Sequence, residues 1–248
     1  MRGRLRVLAQ PSEWVIYDAP TRCPYLPDQT ARLPLRMPLR PLRAEEFAER
    51  LRAGDRRQGS LLYRTNCPTC HACEPIRIDV NDFLPNRTQR RVFRRCEAQI
   101  ECLIGPPTTT PQKVTLYNRH KRERGLLLGD GLAHAQSYAQ FLVETCADTI
   151  EITYRYKGAL VGVAIADRAA DALSAVYCFY DPDYGRFSLG TYSILKQIAL
   201  CRLWKLRYLY LGLYVAECHA MSYKANFQPH ERRIGGHWSR FGRREPAP

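Results

Sequence analysis

Leu173-Ser-Ala-Val-Tyr-Cys-Phe-Tyr-Asp-Pro182 leads through Arg186-Phe-Ser-Leu-Gly190-Thr191 into a segment with apolar residues at Ile194, Leu195, Ile198 and Leu203. This passage decides the fold. Leu173–Tyr180 has the aromatic and β-branched content of a strand. Gly190–Trp204 carries its apolar residues at helical intervals and predicts a helix of about four turns. Two further β patterns, Ile150–Tyr156 and Leu160–Asp167, come before it, with turns at Lys157-Gly158 and Arg168–Asp171. A strand at Tyr208–Leu213 and a short helix at Glu217–Asn226 come after. The order β-β-β-α-β-α predicts an α/β (α+β) unit over residues 111–248, with helices at Pro111–Arg124 and Ala133–Thr145 at its start.

Residues 1–110 read differently. Arg32–Arg43 interleaves three prolines with arginines and leucines, which forbids a regular helix and predicts an extended basic strip. Ala44–Ala53 pairs Phe47 with Leu51 one turn apart and meets Gly54 at its end, a helix with its stop signal. Leu61–Arg64, Pro75–Val80 and Gln99–Ile104 alternate as strands, and Arg87–Arg95 is a very basic helical stretch. The residues after Gly242 look disordered.

The 248 residues carry a formal charge of +14, of which +11 falls on residues 1–125. Thirty-two of the 38 basic residues are arginines, whose forked guanidinium matches phosphate oxygens in pairs. Such a half suits a polyanion, above all a nucleic acid. The basic start, Met1–Gln10, has too short an apolar stretch for a secretory signal, and no run reaches the roughly 18 apolar residues of a membrane helix. A cytoplasmic protein with no membrane partner is expected.

Ten cysteines in such a chain point to metal, redox chemistry or core filling rather than to a disulfide scaffold. Cys67, Cys70 and Cys73 form C-x2-C-x2-C, and Cys23 could supply a fourth thiolate to a structural zinc or an iron–sulfur cluster. The alternative is a set of reduced thiols under the loop. Cys96, Cys102, Cys146, Cys178, Cys201 and Cys218 sit singly among apolar neighbours and read as buried thiols.

The C-terminal order of elements resembles the acyltransferase fold of the GNAT superfamily. In that setting Arg186, Leu189, Gly190 and Thr191 would bind the donor, since a helix N-terminus offers unpaired amides and partial positive charge. Ser188 could cap the helix. A single glycine in this turn suits an acyl-CoA pyrophosphate poorly.

A longer series of segments resembles the bacterial aspartate/glutamate leucyltransferases, relatives of eukaryotic arginyl-tRNA–protein transferases. In order these are Cys23-Pro-Tyr-Leu-Pro27; Tyr63-Arg64, Cys67 to Cys73 and Pro75-Ile-Arg77; Phe83–Arg91; Leu173–Pro182; Ser188–Thr191; Tyr208–Gly212; and Met221–Lys224 with Phe227-Gln-Pro229. The resemblance implies a GNAT-like domain behind a basic, cysteine-bearing N-terminal region. It also implies transfer of an aminoacyl group from charged tRNA to a protein N-terminus, which marks that protein for degradation. Leucine is the expected donor residue, from the bacterial branch, with arginine as the alternative. A coenzyme A-dependent N-acetyltransferase and a non-enzymatic nucleic-acid-binding module are the competing classes.

The chemistry needs no cofactor, because the donor is an activated ester and the nucleophile an α-amine of pKa ~7.7–8.0. An acceptor beginning with Asp or Glu calls for cations. Lys224, Arg87, Arg90 and Arg91 are the candidates to bind that carboxylate, and Tyr177, Ser188, Tyr223 and Lys224 are the candidate catalytic residues.

Overall fold

The computed structural model describes residues 6–7, 9–126 and 131–242, so the disorder expected after Gly242 lies outside the described residues. The N-terminal part runs β1 (Arg6–Val7), β2 (Glu13–Tyr17), β3 (Pro20–Arg22), β4 (Thr30–Arg32) and β5 (Leu35–Pro38). Then come α1 (Ala44–Arg52), β6 (Arg56–Gln58) and β7 (Leu61–Tyr63). These build a five-stranded sheet in the order β1-β2-β5-β7-β6, beside the two-stranded ribbon β3-β4. The proline-broken strip is thus extended, as expected, and part of it pairs as β5.

β8 (Glu74–Asp79), α2 (Arg87–Glu97) and β9 (Ile100–Gly105) follow, and then α3 (Pro111–Glu123). The helix expected over Ala133–Thr145 is only α4 (Ala135–Tyr138), continued by a π turn at Ala139–Val143. β10 (Asp148–Tyr156), β11 (Ala159–Arg168) and β12 (Ala172–Tyr180) are the three consecutive strands read from sequence. A 3-10 segment at Pro182–Phe187 leads into α5 (Leu189–Leu203) and β13 (Tyr208–Tyr214). The last expected helix divides into α6 (His219–Ser222) and a 3-10 turn at Tyr223–Asn226. A hairpin not read from the sequence, β14 (His230–Ile234) and β15 (His237–Phe241), closes the described chain around Gly235-Gly236.

The main sheet has eight strands in the order β15-β14-β8-β13-β12-β11-β10-β9. Every neighbouring pair is antiparallel except β12 and β13, which α5 connects as a parallel crossover. β8 and β9, both before residue 110, lie in this sheet with the later strands. The chain is therefore a mixed α/β protein around one large mixed sheet.

Local chemistry sets the helix boundaries. Asn86 accepts from the Gln89 amide and its own amide donates to the Gln89 side chain, a reciprocal cap that starts α2. Thr110 caps α3 ahead of Pro111. α2 and α5 share one face of the sheet, their apolar sides meeting Ile152, Tyr154 and Leu209. α3 and the π turn cover Val163, Ile165 and Phe179 on a separate cluster. The small sheet and α1 pack Phe47, Leu51 and Leu62 against Ala172, Tyr208 and Tyr210, at the start of the parallel pair.

A fully buried ion pair fixes that docking. Arg57 Nε of β6 lies 2.7 Å from Asp167 Oδ2 of β11, and Thr149 donates to the other carboxylate oxygen at 2.6 Å. Removing one member of such a pair strands the other charge in the interior. We expect Asp167→Ala to cost about 3–5 kcal/mol of stability, measured by urea unfolding; a loss under about 1 kcal/mol would show that the pair does not hold the sheets together.

Candidate active site at the parting of two parallel strands

β12 and β13 pair only at Ala172 with Tyr208, Leu173 with Leu209 and Ser174 with Tyr210, and then they separate. Both strands are irregular at the same level. Val176 is an extra residue of β12 against β11, and Leu211 an extra residue of β13 against β8. Bulges bend and twist a strand locally, so one on each side turns the pair into a fork.

Arg56 fills the base of that fork. Its Nη1 donates to Ser174 Oγ at 3.2 Å and its Nη2 to the Ala175 carbonyl at 2.9 Å. On the opposite strand the guanidinium lies over Gly212, where a Cβ would come within 2.9 Å of Nη2. Gly212 has φ +85°, so glycine is required there for conformation as well as for space. Tyr63 and Tyr25 are the polar neighbours of Arg56 on the N-terminal side, and burial holds the Tyr25 hydroxyl well above its usual pKa.

Lys224 enters from the other arm. Its Nζ donates to the Leu213 carbonyl at 2.6 Å and approaches Met221 Sδ at 3.6 Å. Burial, with the nearby charge of Arg56, pushes its pKa down from 10.5 to about 7, while the Cys218 and Cys73 thiols act the other way. Among the described residues neither Arg56 nor Lys224 has a carboxylate in ion-pair contact. Two buried basic groups that feel each other's charge without an acid between them are costly, because buried charges are ordinarily paired.

The residues expected at the site fall into three groups. Tyr223 stands next to Lys224; the residue as a whole is 45% exposed, while desolvation at its hydroxyl, with Cys178 and Tyr180 as neighbours, pushes that group up to about 12. Tyr180 in turn lies against Gly190, 3.3 Å from where a Cβ would stand, so the donor turn adjoins the fork through this ring. Tyr177 is on the other face of the sheet, packed on Tyr117 and Phe141.

In the turn itself Ser188 takes the N-cap position in a left-handed conformation (φ 52°) and makes no side-chain cap. The expected capping bond is therefore not formed, since a side-chain N-cap takes an extended backbone and Ser188 is left-handed. Leu189 is in the core and Thr191 is half-buried, whereas Ser188 and Arg186 are exposed, Arg186 stacking on Tyr156 and Phe187. Arg87, Arg90 and Arg91 all lie on the solvent side of α2.

Burial pushes the Cys73 thiol up to about 12, with the charge of the Cys23, Cys67, Cys70 and Cys218 thiols acting in the same direction. No group of three or more His, Cys, Asp or Glu side chains among the described residues is arranged to hold a metal ion. Of the six scattered cysteines, Cys96, Cys146 and Cys201 are buried as expected, while Cys102, Cys178 and Cys218 are half-buried. Cys218 in addition borders Lys224.

Comparison with known proteins defines the class. The chain matches the family models for the N terminus (residues 21–91) and the C terminus (residues 112–234) of arginine-tRNA-protein transferase, which makes it an aminoacyltransferase. It is 36% identical over 220 residues to the aspartate/glutamate leucyltransferase of Chromobacterium violaceum, covering 89% of this chain and 90% of that one. It is 39% identical over 219 residues to that of Alcanivorax borkumensis, covering 87% and 89%. The chain belongs to the aspartate/glutamate leucyltransferase family of aminoacyl-tRNA–protein transferases. Among solved structures, the C-terminal domain of a putative lysylphosphatidylglycerol synthetase from Agrobacterium fabrum superposes with TM-score 0.46 at 11% identity, over 63% of this chain and 53% of that one, too loosely to bear on the fold.

The depressed Lys224 pKa has a consequence for stability. Between about pH 7 and 10.5 the unfolded lysine holds a proton that the folded one lacks, so this group makes stability rise with pH across that window. Its penalty is complete below pH 7 and gone above 10.5. Lys224→Met should therefore stabilise relative to the parent chain more at pH 6.5 than at pH 9.5 in paired urea titrations. A difference independent of pH would place Lys224 at an ordinary lysine pKa.

Proposed function

We propose that this chain transfers leucine from charged tRNA to the N-terminal α-amine of proteins that begin with Asp or Glu, and that the fork holds the acceptor. The single observation carrying this reading is the Arg56–Lys224 pair, two buried basic groups that feel each other's charge and have no acid in ion-pair contact among the described residues. An acidic first side chain supplies the missing charge. The names of the similar proteins agree with it.

The donor follows from the same electrostatics. An arginyl group beside two buried cations would need carboxylates, and among the described residues the fork has none in contact with either cation. A leucyl group needs only apolar walls. The β-β-β-α-β order with one parallel pair that parts supports the GNAT-like reading of the domain, with the acyl ester and the amine meeting at the fork.

The acceptor arrives with an α-ammonium and a carboxylate. Free α-amines titrate at ~7.7–8.0, close to the value of about 7 at Lys224. When the carboxylate settles between Arg56 and Lys224 it favours the protonated lysine. A proton then passes from the α-ammonium to Nζ, and the free amine attacks the ester carbonyl. The new C–N bond forms, the C–O bond to the tRNA ribose breaks, the attacking nitrogen gives its second proton to the departing ribose oxygen, and Nζ returns the first proton to solvent when the product leaves. An acidic first residue thus promotes activation of its own amine.

The thiols do no chemistry in this scheme. With or without zinc or an iron–sulfur cluster, Cys23, Cys67, Cys70 and Cys73 would close the loops carrying Tyr25 and Tyr63 over Arg56. In the cytoplasm, where charged tRNA is made, the product would be a protein marked for degradation by its new N-terminal residue.

The test is to incubate the protein with Asp-, Glu- and Lys-starting peptides and tRNA charged with labelled Leu or Arg, with an acetyl-CoA arm alongside. Leucine on the Asp and Glu peptides alone is expected. Arg56→Met, checked for folding by circular dichroism, should raise KM for those peptides at least tenfold, the order of one lost buried charge contact. Acetylation, or transfer to all three peptides alike, would remove the reading.

A further inference from the structure

α2 carries five arginines, Arg87, Arg90, Arg91, Arg94 and Arg95, in eleven residues, and none of them is in an ion pair among the described residues. The helix's one acid, Glu97, is taken by Lys196 and by the Tyr192 hydroxyl. Arg87, Arg90, Arg91 and Arg94 are exposed and follow the i, i+3, i+4, i+7 spacing, so they share a face about 100° wide. Val92, Cys96 and Gln89 point the other way, into the core or against the chain.

This arrangement works against the helix. Like charges three and four residues apart repel. No acid stands in the first turn, and the arginines there oppose the helix dipole. Such a stripe is unfavourable alone and becomes favourable against a line of negative charge. Its position relates it to the fork, because Gln89 Nε2 donates to the Asn226 carbonyl, two residues beyond Lys224, and Phe83 stacks on Phe227.

We propose that the Arg87–Arg90–Arg91–Arg94 face of α2 docks the phosphate backbone of the tRNA donor and leads its acylated end toward the fork. The identity of the nucleic acid rests on the transfer reading above; the surface itself rests on charge and spacing. From Arg87 to Arg94 the face spans ~10 Å at about 1.5 Å per residue, long enough to meet successive phosphates along one strand. Arginine forks fit phosphate oxygens in pairs. The same face presents no apolar side chain to a bilayer. Phosphate contacts carry no sequence information, so this surface would accept tRNA bodies alike and leave the choice of amino acid to the walls of the fork.

The test measures binding of uncharged tRNA across a salt series, with the full chain and two double variants. Arg91→Gln with Arg94→Gln removes two stripe charges that make no side-chain bonds. Lys205→Gln with Arg168→Gln removes two at the far end of α5. The stripe variant should bind about tenfold more weakly near ~0.1 M salt, with a log–log salt slope smaller by roughly 1 to 2, while the control keeps the parent affinity and slope. Equal effects of the two variants, or parent protein that binds anionic phospholipid vesicles and not tRNA, would overturn the proposal. If the stripe carries tRNA binding but no leucine is transferred, the surface stands and the donor chemistry falls.

Discussion

The insertion of Arg56 between β12 and β13 is the constraint on which the rest of the structure turns. A parallel pair held by ladder bonds along its whole length would leave no cleft. Here the pair ends after three residues, both strands bulge, and a guanidinium from a different sheet takes up a hydroxyl and a carbonyl on one arm while resting on Gly212 of the other. The small sheet is thereby part of the site rather than an appendage. Its helix α1 packs on the start of the parallel pair, and Arg57, the next residue, anchors β6 in the core through Asp167. Adjacent residues of one strand face opposite sides, so one arginine secures the sheet and the other serves the cleft.

Positive charge in this protein has three separate uses. In the interior, Arg57 and Arg77 are paired and act structurally, Arg77 lying on the rings of Tyr208 and Trp238 while bound to Glu231. At the fork, Arg56 and Lys224 have no acid in ion-pair contact among the described residues. On α2 the arginines face water in a row and suit an extended anion. The +14 total alone does not separate these, since only the partners of each cation tell them apart.

Much of the fold was legible from hydrophobic period. The three strands after residue 148, the long helix α5 and the strand after it fall within two residues of their expected limits, because each buries an uninterrupted apolar pattern. The β14–β15 hairpin escaped because His230-Glu-Arg-Arg-Ile reads as a polar loop; in the fold Arg232 pairs with Glu74 and stacks on Tyr214 and Phe241. At the site, Lys224 and Tyr223 were legible from the family resemblance, and Gly212 lay within a quoted motif. Arg56 was not, since Asp-Arg-Arg-Gln has no period and the two arginines part company only in three dimensions. Tyr177 looked equivalent to Tyr180 in sequence, but the bulge at Val176 and the alternation of β12 send it to the opposite face.

The central claim, that the fork binds an acidic first residue, is tested most directly by a crystal structure of the chain with a peptide beginning Asp-Ala. The account predicts the aspartate carboxylate within hydrogen-bond reach of both the Arg56 guanidinium and Lys224 Nζ, with the α-amine turned toward Tyr180 and the Gly190 turn. A carboxylate seated on the α2 arginines, or a peptide bound away from the parting of β12 and β13, would contradict it.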